Sequence, residues 1–259
     1  MNSHAKTVID FLESLRQTTK SISESRANKI SSESLEDTFQ QVLSDGGFVD
    51  LSEELKQCQD GKPSTFSKAT TQGGRKEDYK KIKKYIQDVV LKSREIRQDT
   101  DNLFPKNCFL RHPCGPGNKP DFLVIVNGYM LYWEMKTSTG GYCGKLNDKP
   151  IPAQSFVLCS SGGKKLDCPF TWFHVADIYN DETWAFYDII LPLYKKYKNA
   201  LREEIKDIFT DNVKKCASVP SLRGIVGWGT ENNDWYRKTI NGFDRAQREQ
   251  NVINILTRL

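Results

Sequence analysis

The chain has 259 residues, 37% hydrophobic and 27% charged, which is enough to bury a sizeable core as one α/β domain or two small ones. A formal charge of +5 is too modest to mark a nucleic-acid binder, although it suits a protein whose basic residues gather on one side. No N-terminal apolar run resembles a signal peptide or a membrane span, and no repeat or linker interrupts the chain, so a single domain over residues 1–259 is expected, with no membrane partner.

The first elements are helical. Val8, Ile9, Leu12 and Leu15 recur at helical spacing, and a second amphipathic helix is marked by Leu35, Phe39, Val42 and Leu43, with Ser32 as its cap and Gly46-Gly47 as its stop. Glu33 and Glu36 fall in its first turn, where the helix dipole favours acids. A Gly-, Lys- and Ser-rich loop from Asp60 to Arg75 leads into a long helix, roughly Glu77 to Gln98, with Tyr79, Ile82, Ile86, Val89 and Ile96 as its buried stripe. Lys80, Lys81, Lys83 and Lys84 make either a solvated face or a contact surface for phosphates. Cys108 to Arg111 reads as a short strand and His112 to Gly117 as a rigid loop. The seven cysteines are an odd number without zinc-like CxxC pairs, so reduced thiols and a cytoplasmic protein are expected, and zinc at His112, Cys108 and Cys114 is not.

Pro120 to Lys136, PDFLVIVNGYMLYWEMK, carries the strongest local signal. Asn127-Gly128 between two apolar runs predicts a two-residue hairpin, because both central residues must take positive φ. That register pairs Val126 with Tyr129, Ile125 with Met130, Leu123 with Tyr132 and Asp121 with Glu134. Alternation then puts Glu134 and Lys136 on one face, joined by Asp121, and puts Phe122, Val124, Val126, Leu131, Trp133 and Met135 on the other, as core. Opposed residues have Cβ atoms roughly 4.5–5.5 Å apart, where like charges are destabilising unless compensated. A divalent cation compensates them: Mg²⁺ is commonly held by one or two carboxylates with water and phosphate.

Past Lys136 a Gly-rich loop runs through Gly140 to Lys149; it is not a Walker loop, since no Ser or Thr follows its lysine. Ser155 to Cys159 and Thr171 to Val175 read as strands separated by a basic turn with Lys164 and Lys165. His174 falls within the second of these as a core or edge residue. Asp181 to Ala217 is helical with a kink at Pro192, Leu222 to Val226 is strand-like, and a final helix carries Arg237, Lys238, Arg245 and Arg248 beside Ile240, Phe243, Val252, Ile255 and Leu256. Helices before and after a central run of about four or five strands indicate a mixed α/β sandwich.

Pro120-Asp121, a hydrophobic strand pair and Glu134-Met135-Lys136 together resemble the PD-(D/E)XK signature of the nuclease superfamily that includes most type II restriction endonucleases. The resemblance spans roughly residues 31–180 and implies a restriction-endonuclease-like core with a mixed central sheet of about four or five strands flanked by helices. It implies Mg²⁺, with Mn²⁺ substituting, held by Asp121, Glu134 and the Met135 carbonyl, with Lys136 assisting the attacking water. Glu36 or Glu33 would match the additional acid that an early helix often brings. The implied activity is sequence-specific hydrolysis of double-stranded DNA leaving 5′-phosphates, by a homodimer whose host needs a protective DNA methyltransferase. Base reading falls to groups outside the motif, since a phosphate is the same at every step. Tyr142, Lys145, Asn147 and Asp148 have the chemistry for it, as do Lys164, Lys165, Asn232, Asn233 and Arg237 for DNA contact more broadly. A repair or junction-resolving nuclease, a non-catalytic DNA-binding module and a metal-free protein with a surface ion-pair cluster are the alternatives.

Overall fold

Asn127 and Gly128 take φ of 50° and 84°, and the strands they join keep the expected register, from Val126–Tyr129 and Ile125–Met130 to Leu123–Tyr132 and Phe122–Trp133. Around this hairpin the computed structural model describes residues 2–16, 32–60, 75–90, 93, 95–115, 120–138, 154–161, 170–177 and 245–259, with isolated helical positions between 185 and 200. The chain divides into two compact units. One comprises Met1–Lys145, Ile151–Ile178 and Asp234–Leu259, and the other Leu146–Pro150 and Tyr179–Asn233. Every element below belongs to the first.

Its elements are α1 (Ser3–Arg16), α2 (Ser32–Asp45), β1 (Val49–Asp50), α3 (Ser52–Gln59), α4 (Arg75–Tyr85), β2 (Arg97–Gln98), β3 (Cys108–Arg111), β4 (Phe122–Val126), β5 (Tyr129–Ser138), β6 (Ser155–Ser161), β7 (Phe170–His174) and α5 (Arg245–Thr257). Among the described residues the strands form one mixed, open seven-stranded sheet in the order β1-β3-β4-β5-β6-β7, with β2 paired to the start of β5. The β1–β3 and β5–β6 pairs are parallel and the rest antiparallel. This exceeds the expected four or five strands because β1 and β2 have two residues each, too few for any alternation to register.

Helices cover both faces of the sheet. On one, Phe122, Val124, Val126, Leu131, Trp133 and Met135 pack with Phe156, Leu158 and Trp172 against the apolar stripes of α1, α2 and α5. On the other, Leu110, Leu123, Ile125, Met130 and Tyr132 meet Leu51, Leu55, Ile82 and Ile86 from the α3 and α4 region. Both faces of β4 are therefore buried, which explains why its five residues are apolar without alternation.

Two helical readings change. The helix read from Glu77 to Gln98 stops earlier: α4 passes into one π-helical turn at Ile86–Val90, and Arg97–Gln98 leaves to pair with β5. The Ser93 hydroxyl donates to the Glu95 carbonyl at 2.7 Å and accepts the Glu95 N–H at 3.1 Å, a local turn that competes with helix continuation. Ile96 is consequently partly buried against the first core and is not part of a helical stripe. The short α3 was not expected; the Asp50 carboxylate accepts the Ser52 N–H at its start, at 2.8 Å. Residues 237–244 of the expected final helix lie outside the described residues. Cys58, Cys108 and Cys114 are buried and outside any disulfide, whereas Cys159 is disulfide-bonded, which corrects the expectation of reduced thiols at that position. Among the described residues no helix is long and apolar enough to cross a membrane.

Phe39 ties α2 to the hairpin, with ring centroids 5.2 Å from Phe122, 5.4 Å from Trp133 and 5.4 Å from Phe11. Phe39→Ala is expected to cost about 3–5 kcal/mol of unfolding free energy in urea titration. Val49→Ala, at a position 49% exposed, is expected to cost about 0.5 kcal/mol or less. Similar losses in the two variants would contradict this packing.

Candidate active site

The first core ends on β5 at Met135 and the second at Tyr132, so the next two residues on the second face, Glu134 and Lys136, lie beyond its apolar packing. Lys136 Nζ is 2.7 Å from Glu134 Oε2 and 3.9 Å from Asp121 Oδ2. Asp121, Glu134 and Lys136 thus come together on one side of the sheet, with the lysine committed chiefly to Glu134. The Tyr132 hydroxyl donates to the other carboxylate oxygen, Glu134 Oε1, at 3.2 Å.

Asp121 reaches this cluster by a route that strict cross-strand pairing does not give. In a two-residue hairpin Val126–Tyr129 is a hydrogen-bonded pair, and alternation makes Val124–Leu131 and Phe122–Trp133 the next ones. Pro120 and Met135 would follow, but proline has no N–H to return. The strand pairing stops at Phe122–Trp133, Asp121 sits in the bend before β4, and its Oδ2 accepts the Met135 N–H at 2.7 Å. In the same ladder pattern the Met135 carbonyl would face Pro120, which offers it no donor.

The electrostatics of the pair are costly. Burial, and then repulsion from Glu134, push the Asp121 carboxyl from its ordinary 3.8 up to about 6, against the opposing pull of Lys136 and the Met135 N–H. Glu134 itself is only 1% exposed. A buried and a half-buried carboxylate sharing one lysine leave unneutralised negative charge, a donor set that suits a hard cation taking oxygen ligands. Asp121, Glu134 and the Met135 carbonyl are the groups that would hold Mg²⁺. Among the described residues no set of three or more His, Cys, Asp or Glu is placed to hold a metal, so this reading relies on two carboxylates supplemented by backbone, water and phosphate.

A second cluster adjoins the first. Glu36 Oε2 accepts from Arg111 Nε and Nη2 at 3.3 and 3.1 Å and lies 3.0 Å from His112 Nε2. Arg111 Nη1 extends to Asp37 at 2.6 Å and Gln40 at 2.9 Å. Burial raises the Glu36 carboxyl, but its bonds to His112 and Arg111 outweigh burial and hold it below its ordinary value. The Glu36 bond in turn raises His112, with a further contribution from Asp121. Glu36 also acts on the Asp121 carboxyl, so the early-helix acid lies within electrostatic reach of the pair.

Of the residues expected at the site, Asp121, Glu134, Met135 and Lys136 are brought together and Glu36 adjoins them. Glu33 belongs to α2, but its side chain is outside the description. Tyr142, Lys145, Asn147, Asp148, Lys164, Lys165, Asn232, Asn233 and Arg237 lie outside the described residues. Arg111, His112 as a partner of Glu36, and Tyr132 were not anticipated; the one sequence signal for Tyr132 was its period-two spacing with Glu134 and Lys136. His174 is buried in β7, and burial lowers it to about 4, in keeping with a core residue. A scan against protein-family models matches nothing, and comparison with curated proteins and with solved structures gives no match.

The raised Asp121 carboxyl has a signed consequence for stability. Between 3.8 and about 6 the folded chain keeps a proton that the unfolded chain has released, so the Asp121 contribution to stability is lost as pH rises through about 6. With chelator present, Asp121→Asn should therefore be more stable than the parent by roughly 1–3 kcal/mol at about pH 7.5, with the gain vanishing in acid. Urea titrations at both ends of the range check this; a variant no more stable than the parent near neutrality would contradict the strained pair.

Proposed function

We propose that the chain is a Mg²⁺-dependent endonuclease of the PD-(D/E)XK type, and within that class a type II restriction enzyme hydrolysing double-stranded DNA to leave 5′-phosphates. The observation that carries the reading is the meeting of Asp121, Glu134 and Lys136 at the edge of the second core, in the order and spacing of that motif. Two further observations support it: a mixed α/β sheet with helices on both faces, and an early-helix acid, Glu36, whose charge acts on the Asp121 carboxyl. The helix α4, whose Ile82 packs in the core that contains Tyr132, exposes Lys81 and Lys84, a source of backbone-phosphate contacts.

Mg²⁺ held by Asp121, Glu134 and the Met135 carbonyl would supply Lewis-acid stabilisation of charge on the phosphate and a more acidic bound water. Asp121 must be ionised to serve, so below about pH 6 protons compete with the cation for its carboxylate. Lys136, with both Glu134 and Asp121 as acidic neighbours, presents an ammonium within the site that orients the attacking water or offsets charge on the phosphate. The Met135 N–H holds the Asp121 carboxylate in position, and the near-complete burial of Glu134 shields that carboxylate from bulk water. A homodimer acting on palindromic sites, protected in its host by a DNA methyltransferase, completes the reading.

The test is digestion of an unbranched plasmid with Mg²⁺, followed by sequencing of the ends. Discrete fragments with 5′-phosphates are expected; a smear or no cleavage would count against a restriction enzyme. Asp121→Ala and Glu134→Ala are expected to lower cleavage by at least about 10³-fold while duplex affinity at low salt changes by less than about tenfold. Parallel loss of binding and cleavage would point to a structural ion-pair cluster.

A further inference from the structure

Tyr132, Glu134 and Lys136 lie at alternate positions of β5 and form a row on one face of the strand. The two ends of the row donate to different oxygens of the middle carboxylate: the Tyr132 hydroxyl to Oε1 at 3.2 Å and the Lys136 ammonium to Oε2 at 2.7 Å. The donors differ in how easily they move. Lys136 has a flexible four-carbon stem, keeps 12% of its side chain exposed and has a second acidic neighbour in Asp121 at 3.9 Å. Tyr132 is 0% exposed, and its rigid ring is packed among Leu110, Leu123, Met130 and Ile86, so its hydroxyl has no alternative position without disturbing the core.

We propose that Tyr132 is a positioning residue: by donating to Glu134 Oε1 its hydroxyl fixes the carboxylate and disfavours use of both oxygens together, so that Glu134 turns chiefly Oε2 to a cation, the oxygen whose present partner can move aside. The proposal rests on the nuclease reading above and adds cation selection to it. A carboxylate restricted to one oxygen suits Mg²⁺, which demands near-octahedral geometry and few protein ligands. It disfavours Ca²⁺, which takes six to eight oxygens and accepts a carboxylate through both. Tyr132 is therefore a selectivity determinant that never touches the ion.

Calorimetric titration of the full chain with Mg²⁺ and with Ca²⁺, without DNA, tests this against Tyr132→Phe, which removes only the hydroxyl. The ratio of Ca²⁺ to Mg²⁺ affinity is expected to rise about tenfold in the variant, chiefly through tighter Ca²⁺ binding. A purely structural role for the hydroxyl would lower stability and weaken both ions alike, leaving the ratio where it was. Should Tyr132→Phe fail to fold by circular dichroism, Tyr132→Leu, which also lacks the donor, is expected to show the same rise. An unchanged or lower ratio in a folded variant, with Mg²⁺ still binding the parent, overturns the positioning role alone. A parent chain that binds neither ion even when an uncleavable duplex supplies phosphate overturns both this proposal and the nuclease reading.

Discussion

The left-handed backbone at Asn127 and Gly128 is the constraint on which the rest of the molecule depends. A side chain without a β-carbon, at Gly128, and one that tolerates positive φ, at Asn127, make a two-residue loop whose twist matches the strands. The loop is held from outside as well: Gly128 donates to the Lys106 carbonyl at 2.8 Å, and the Asn127 amide reaches the Leu259 carbonyl at 3.1 Å. Once register is set, every side chain of β4 and β5 has an assigned face. A slip by one residue would turn Trp133 and Met135 out of the first core and drive Glu134 into it, so register and core enforce one another.

Glu134 and Lys136 follow as the point where apolar packing gives way on the second face. Pro120 then acts through what it lacks. Without an N–H it cannot donate to the Met135 carbonyl, the ladder stops at Phe122–Trp133, and the Met135 N–H is taken by the Asp121 carboxylate, which lies beside a buried neighbour of its own sign. The arrangement does not favour folding. Desolvating two carboxylates beside one ammonium costs more than a local ion pair returns, and apolar residues of similar size would pack there more cheaply. A cost of this kind at a strand end, with Glu36, Arg111 and His112 adjoining it, is intelligible where cation and phosphate chemistry require it.

Much of this was legible because the relevant signals are local. The hairpin register, β3, β6 and β7, the stripes of α1 and α2, and the glycines that end α2 all rest on spacing within a few residues. What escaped depends on tertiary context. Strands of two residues, β1 and β2, have no period and exist only because a neighbour pairs with them. The early end of α4 was hidden because Ile96 continues the helical spacing while packing in the other core. The Arg111–Glu36 contact joins residues 75 apart in sequence, beyond any pattern in one segment. The diversion of Asp121 was in principle readable, since counting the ladder outward from the turn lands a hydrogen-bonded pair on Pro120.

The central claim is that the turn-set register brings Asp121 and Glu134 together as a cation site. Anomalous X-ray diffraction from crystals of the full chain soaked in Mn²⁺ tests it most directly. The account predicts a peak within ligand distance of the Asp121 and Glu134 carboxylates and the Met135 carbonyl, with Lys136 turned from Glu134 Oε2. No peak there, with the Lys136–Glu134 pair intact in well-ordered density, would contradict it and leave the cluster a structural ion pair.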